Sequence, residues 1–326
     1  MNSTQQLNDT EELTGSELIC NIMVAEGVIG VFGNLLVCFV ILRVKFLHNM
    51  TNYLLVNLAV ADMLLCLQSA FVPTGIIGRE LFCRVLISEY LAWALSYASA
   101  YNLCAVTIER YVAIMHPLQY KRKLTATRMK YLIALIWVIS FLFSSPFIFT
   151  IETSNNPEHP CFESKYPHHE FPILLNVFSF FMGYLLPIAL MSWAYYKIQI
   201  TLKRQAKVLN LQYARAAAYD LVLARHRLVR TLLIVLGSLI ILLTPSSTAI
   251  LLCLHPIHKA LISFCDSHTY GYILAVCDFF YYFNSVINPI IYELKYKKFR
   301  QGVKVAFCSC FKRHGNNRVD IEMIPL

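Results

Sequence analysis

Apolar residues run along the chain in long blocks without period-two alternation, separated by short polar or basic segments. Seven blocks reach about 20 residues or more, enough for a helix to cross roughly 30 Å of hydrocarbon. They lie near 21–43, 52–75, 84–114, 128–150, 172–197, 228–254 and 270–292. In lipid, runs of this length satisfy their backbone groups within themselves only as helices, so sheet is not an alternative. The expected fold class is an all-α membrane protein, a seven-transmembrane helix bundle. The expected parts are an extracellular tail over 1–20, the bundle over 21–292, an amphipathic helix over 293–307 and a cytoplasmic tail over 308–326.

Lysine and arginine set the orientation. Of 28 such residues, 24 fall on one side: between spans 1 and 2, after span 3, between spans 5 and 6, in the tail, and Arg110 at the inner end of span 3. The other four are Arg79, Arg84, Lys165 and Lys259. The positive-inside rule then places the N-terminus outside and the C-terminal tail in the cytosol. Composition agrees, with 57% hydrophobic and 14% charged residues and a mean hydropathy of +0.55, as expected of an integral membrane protein. The net charge of +9 therefore reads as orientation and a cytoplasmic contact surface, and nucleic acid is not an expected partner. Residues 1–18 are polar and acidic rather than basic-then-apolar, so the first block is expected to serve as its own signal anchor. The expected location is the plasma membrane, crossed seven times.

Asn2 and Asn8 begin glycosylation sequons on the outer side, whereas Asn49-Met-Thr faces the cytosol. Of eleven cysteines, Cys83 and Cys161 lie in the oxidising compartment. A bridge between them would tie the loop after span 4 over the bundle. Cys20 and Cys265 are also outside, either as a second bridge from the tail to the third outer loop or as two free thiols. Cys38, Cys66, Cys104, Cys253 and Cys277 read as small core residues.

Several polar residues interrupt the apolar blocks. Span 3 ends in Val106-Thr-Ile-Glu-Arg-Tyr-Val112, where Arg110 needs a local partner and Glu109 is next to it; an unpaired arginine near lipid costs several kcal/mol. Span 2 carries Asp62 in mid-membrane, and the oxygens available to it come from Ser99, Asn284, Ser285 and Asn288. That set either holds a small hard cation such as sodium or joins a protonated carboxyl in hydrogen bonds between helices. Pro187, Pro245 and Pro289 each free a carbonyl one turn back and soften their helices.

Gly33-Asn34, Leu58-Ala-Val-Ala-Asp62, Glu109-Arg110-Tyr111 followed by Ala113-Ile-Met-His-Pro-Leu118, Trp137, Pro187 with Tyr195, and Asn288-Pro-Ile-Ile-Tyr292 occur in that order on the seven spans. Together they resemble the rhodopsin family (class A) of G-protein-coupled receptors, most like its peptide-receptor group, over about residues 21–310. The resemblance implies that Arg110, Tyr195 and Tyr292 rearrange on activation, with Glu109 and Tyr111 beside them, to open an inner face to a heterotrimeric G protein. Arrestin and a receptor kinase are implied as further partners. It also implies that Asp62, Ser99, Asn284, Ser285 and Asn288 form an inhibitory sodium pocket, with no other cofactor. Beyond span 7, Leu294, Phe299, Val303 and Phe307 lie near helical spacing among basic residues, which reads as an amphipathic helix on membrane lipid. Cys308 and Cys310 beyond it are candidates for palmitoylation.

Three departures stand out. Leu243 occupies the place where the family has an aromatic residue before the span 6 proline. Arg225 stands where an acid often latches span 6, so like charge facing Arg110 should disfavour the closed state. Cys83 precedes Arg110 by 27 positions, two more than is usual, which implies an insertion or distortion at the outer end of span 3.

The place of the amine-binding aspartate in span 3 is taken by Ala92, or by Tyr90 in the alternative alignment, and the retinal lysine by Tyr282. Amine ligands and retinal are therefore not expected. Gln68, Glu89, Tyr90, Trp93, Asp278 and Tyr282 remain as candidate ligand contacts. Glu89 and Asp278 would receive a basic group and the aromatics would pack against it; the plainer role for Asp278 is an ion pair with Lys259. The loop over Glu152–Glu170 and the N-terminal tail are rich in acids, which favours a cationic peptide. A lipid or other small molecule is the second reading, and a non-signalling decoy the third. No hydrolytic or redox constellation is present: His168, His169 and Glu170 lie in an outer loop without metal-ligand helical spacing. The chain is expected not to be an enzyme.

Overall fold

The computed structural model describes residues 3–71, 83, 85, 89–153, 161–163, 170–211, 216–254, 259–265, 267–295 and 297–311. Within these, some side chains lie outside the description, among them those of Asn8, Cys161, Arg225, Lys259, Tyr292, Cys308 and Cys310. The Asn2 sequon, most of the acidic outer loop and the tail beyond 311 lie outside it altogether.

Seven helices are long and apolar enough to cross a membrane: Leu18–Arg43, Met50–Ala70, Tyr90–Met115, Ala126–Phe149, Ile173–Gln205, Val229–Cys253 and His268–Ile291. They are numbered here as spans 1 to 7. Span 3 is the most enclosed by protein and spans 4 and 5 the least, so span 3 forms the axis and the others surround it. Large apolar side chains such as Leu142 and Ile241 point outward, where a bilayer, not water, is their solvent. Outside the helices, β1 (Ile151–Thr153) pairs antiparallel with β2 (Cys161–Glu163), with Thr153 opposite Cys161.

Small residues decide how closely spans 1 and 2 meet. A Cβ on Gly27 would lie 2.6 Å from the Cys66 carbonyl oxygen, and one on Gly30 would lie 2.3 Å from the Cys66 sulfur. Side-chain amides then tie spans together. The Asn34 amide donates to the Ser285 carbonyl at 3.0 Å, joining spans 1 and 7. The Trp137 indole donates to Asn57 at 3.0 Å and the Asn57 amide to Asn102 at 2.6 Å, linking spans 4, 2 and 3.

Four expectations need correction. The described helix of span 3 starts at Tyr90, where the expected block starts at 84, and Glu89 directly before it has a left-handed backbone (φ 64°). The surface helix runs Lys297–Phe311 and span 7 stays helical to Lys295, so Cys308 and Cys310 sit within that helix and not beyond it. Cys265 is bonded to Cys253, with Cα atoms 5.6 Å apart, and Cys20 is a free thiol. Twelve residues of chain already bring Cys253 and Cys265 together at the outer end of span 6, so Cys253 is not a core thiol and no bridge reaches the tail. Cys83 is disulfide-bonded; the Cys161 side chain expected to meet it lies outside the described ones.

The segment between spans 5 and 6 is largely helical, with helices reaching Leu211 on one side and starting at Ala216 on the other. Span 5 contains a π-helical turn, Phe181–Leu185, separated from Pro187 by Leu186 alone. Proline lacks an N–H and its ring crowds the carbonyl one turn back; a wider turn relieves that clash. The surface helix packs Phe299 and Ala306 inward, sets Phe307 on Phe39 at 6.0 Å, and leaves Lys298, Arg300 and Lys304 exposed.

Candidate functional site

A cavity of about 120 Å³ opens among spans 3, 5, 6 and 7. Its upper wall holds Glu89 and Trp93 on span 3 and Asp278, Tyr281 and Tyr282 on span 7. Phe180 and Tyr184 face them from span 5, and Leu243 and Ser246 from span 6. Among the described residues, two carboxyls and no Lys, Arg or His line it. The Trp93 indole donates to the Glu89 carboxylate at 3.0 Å, and the Ser246 hydroxyl to Asp278 at 3.3 Å. Glu89 exposes surface to the cavity, yet burial around its carboxyl pushes its pKa above the ordinary carboxylate value, with the Trp93 bond pulling the other way. Trp93 itself is fixed by stacking on Phe147 at 5.5 Å.

Four of the six expected ligand contacts meet in this cavity, and two do not. Tyr90 is absent from the lining and its ring lies against Phe141 of span 4 at 6.2 Å. Gln68 is buried within the bundle, away from the lining, with its side-chain oxygen lacking a hydrogen-bond partner. The sequence reading passed over Ser96, Tyr184, Ser246 and Tyr281. The signal for them was a hydroxyl inside an apolar block, which many helices carry for bonds to their own backbone. It also passed over Glu26, the acid inside the first apolar block. Glu26 is buried, one of its oxygens has no partner, and it lies within electrostatic reach of Tyr282.

Ser99, Asn284 and Ser285 form the floor of the cavity, and Asp62 lies directly beneath. One Asp62 oxygen accepts from Ser99 at 2.7 Å and from Ser285 at 3.0 Å. The other accepts from the Asn288 amide at 2.8 Å. Asp62 is fully buried, and the Asn288 carbonyl oxygen beside it has no hydrogen-bond partner. One carboxylate with several neutral oxygens, one of them orphaned, fits a monovalent hard cation. Asn284 lines the cavity above this cluster without joining its hydrogen bonds among the described residues.

At the inner end of span 3 the Arg110 Nε lies 3.3 Å from a Glu109 oxygen. The Tyr120 hydroxyl donates to the other Glu109 oxygen at 2.5 Å. Burial and the neighbouring Glu109 raise the Tyr120 phenol pKa, so this proton stays in place. Tyr195 shares a 2.7 Å bond with Thr107, and Tyr111 packs on Trp193 at 5.4 Å. Arg225 and Tyr292 lie on helices whose side chains are outside the description there. Outer cavity, buried acid cluster and inner arginine thus stack along one axis.

Residues 33–292 match the 7 transmembrane receptor (rhodopsin family) domain. The chain belongs to that family. The receptor is 31% identical over 344 residues to neuromedin-U receptor 2 of Rattus norvegicus, covering 94% of this chain and 83% of the relative. It is 28% identical over 312 residues to adenosine receptor A2a of Homo sapiens, with 89% and 72% covered. It is also 28% identical over 310 residues to trace amine-associated receptor 6 of Pan troglodytes, with 89% and 86% covered. Those names point to three different ligands. The receptor is a multi-pass membrane protein that binds an extracellular ligand, and its family is not one of enzymes.

Proposed function

We propose that the receptor binds the cationic group of an extracellular peptide between Glu89 and Asp278 and activates a heterotrimeric G protein at the plasma membrane. The observation that carries this reading is a cavity whose described lining holds two carboxyls, no cation and a wall of aromatic rings. A cation entering it exchanges water for two carboxylates and the faces of Trp93 and Tyr282, in surroundings where charge is weakly screened. At about 120 Å³ the space suits one side chain or chain end. Ligand sites for whole drug-sized molecules run to roughly 300 Å³ or more. A peptide would therefore lodge one basic residue and lay the remainder along the acidic outer surface.

The test is G-protein activation in cells expressing the chain, challenged with tissue extract before and after protease digestion. Loss of the response on digestion, with the half-maximal concentration raised in Asp278→Asn and Glu89→Gln, is the expected result. Hydrogen bonds to charged groups contribute about 1.5–3 kcal/mol, so each change should raise that concentration roughly 10- to 100-fold. A response that survives digestion favours a small molecule, the second reading, which the resemblance to the adenosine and trace-amine receptors supports. Silence with no basal activity would sink signalling and favour a decoy.

The acid cluster is proposed to hold sodium, with Asp62, Ser99, Ser285 and Asn288 as oxygen donors and Asn284 at its entrance. Agonist affinity should then fall as sodium replaces a bulky organic cation at constant ionic strength. Asp62→Asn should remove that dependence; a variant as sodium-sensitive as the parent would exclude the site. Arg110, Glu109, Tyr111, Tyr195, Tyr292 and Arg225 are assigned to the inner switch, and Cys308 and Cys310 to palmitoylation, testable by labelled palmitate uptake lost in the double serine variant.

A further inference from the structure

A second cavity, of about 300 Å³, lies between the cytoplasmic halves of spans 5 and 6. Ser192, Tyr196, Gln199 and Lys203 line it from span 5, and Leu233 and Leu236 from span 6. The span 5 residues recur at helical spacing on one face over about three turns, or roughly 16 Å. Tyr196 is 64% exposed and Ser192 is exposed beside it, so hydroxyl and amide groups here face outward from a helix whose surroundings are hydrocarbon. No hydrogen bond joins Ser192, Tyr196 or Gln199 side chains to another described residue. A polar group in that setting needs a partner, and lipid tails supply none.

The cytoplasmic mouth of the cleft is cationic. Lys203 is part of its wall, Lys207 follows one turn later on the same face, and Arg230 lies one turn before Leu233 on span 6. All three are exposed, and among the described residues none is ion-paired and no acid lines the cleft. From mouth to interior the surface therefore passes from three cations, through hydroxyl and amide groups, to leucine.

We propose that this cleft binds an anionic phospholipid of the inner leaflet. Its phosphorylated headgroup lies among Lys203, Lys207 and Arg230, its ester region meets Gln199 and Tyr196, and an acyl chain runs along Leu233 and Leu236. Three converging cations select a headgroup of more than one negative charge over a singly charged one. Tyr195 forms part of the same wall and bonds to span 3 through Thr107, so the lipid would sit against a helix contact that span 5 must break to move.

The test uses the full chain in nanodiscs of phosphatidylcholine, titrated with a fluorescent phosphatidylinositol bisphosphate and read by energy transfer. The parent should bind saturably. Each basic residue near an anionic lipid surface contributes about fivefold in association, so Lys203→Gln with Arg230→Gln should weaken binding roughly twentyfold. Leu236→Trp, which fills the cleft and leaves every charge in place, should also abolish saturable transfer; Ile200 lines the cleft from span 5, and Ile200→Trp repeats the experiment from that side should the first variant not fold. Lys298→Gln with Lys304→Gln on the surface helix removes as much charge away from the cleft and should weaken binding much less than the cleft pair does. Unchanged binding in the filled variants, or equal loss in the surface-helix variant, would overturn the proposal and leave only general attraction of a basic surface.

Discussion

Glu89 combines a left-handed backbone with a carboxylate fixed by the Trp93 indole. For a residue with a side chain that conformation costs about 1–2 kcal/mol, and at the mouth of the cavity it turns the carboxylate toward the ligand space. Burial raises its pKa, so Glu89 loses its charge at a higher pH than an exposed glutamate would. Affinity for a cationic ligand should be full above that raised pKa and decline as external pH falls through it. Measured agonist titrations at several pH values should show this slope in the parent and a flatter one in Glu89→Gln; equal slopes would exclude Glu89 as counter-charge. Glu89 and Asp278 were legible in the sequence because a charge within an apolar block has few structural reasons to be there. That Tyr90 and Gln68 lie away from this cavity was not legible, because the face a residue presents depends on how its helix is rotated in the bundle, and the left-handed Glu89 beside Tyr90 carries no glycine or proline to announce it.

In span 6, Leu243 stands in the usual place of an aromatic sensor and lines the cavity, and a hydroxyl of the same helix bonds to a tyrosine in the cavity wall. Thr244 donates to the Ile240 carbonyl in its own helix, which leaves its oxygen to accept from Tyr184 at 2.5 Å. Tyr184 lines the cavity from the π-helical turn of span 5, and Thr244 directly precedes Pro245. A ligand that displaces the Tyr184 ring would thus act on the softest point of span 6. If this bond holds the resting arrangement, removing it shifts the balance by about 1 kcal/mol, and ligand-free signalling in Tyr184→Phe should rise roughly fivefold. Unchanged basal activity at equal surface expression would disprove that coupling. The seven spans themselves were legible from block length alone. The π turn and the hydroxyl pair were not, because they depend on how Pro187 is accommodated and on which rotamers two neighbouring helices present.

Across the whole molecule, the amides of Asn34, Asn57 and Asn102 and the acid cluster join spans 1, 2, 3, 4 and 7 into one hydrogen-bonded body. Glycine brings spans 1 and 2 close within that body. Gly30→Ala would force its Cβ against the Cys66 sulfur, and overpacking of this kind costs about 1–3 kcal/mol. Thermal unfolding of the detergent-solubilised receptor should occur several degrees lower, with part of the loss restored by Cys66→Ala; equal stability would indicate that spans 1 and 2 separate freely. Which residues are glycine was plain in the sequence, but which of the eleven face a neighbouring helix is decided only by how the helices rotate. The outer disulfide was misread for a related reason: side of the membrane follows from charge, whereas pairing follows from distance, and Cys253 lies closer to Cys265 than its place in an apolar block suggests.

That disulfide turns span 6 into a lever of unequal arms. Its outer end is tethered at Cys253, and Pro245 provides a fulcrum roughly 12 Å below, leaving about 24 Å of helix from there to Val229. A tilt of about 10° of the long arm about the proline would then sweep the inner tip by roughly 4 Å, while the bridge holds the outer end in place. A sub-ångström displacement at the cavity would be enlarged where a cytoplasmic partner docks, and reducing the bridge would let the short arm swing instead.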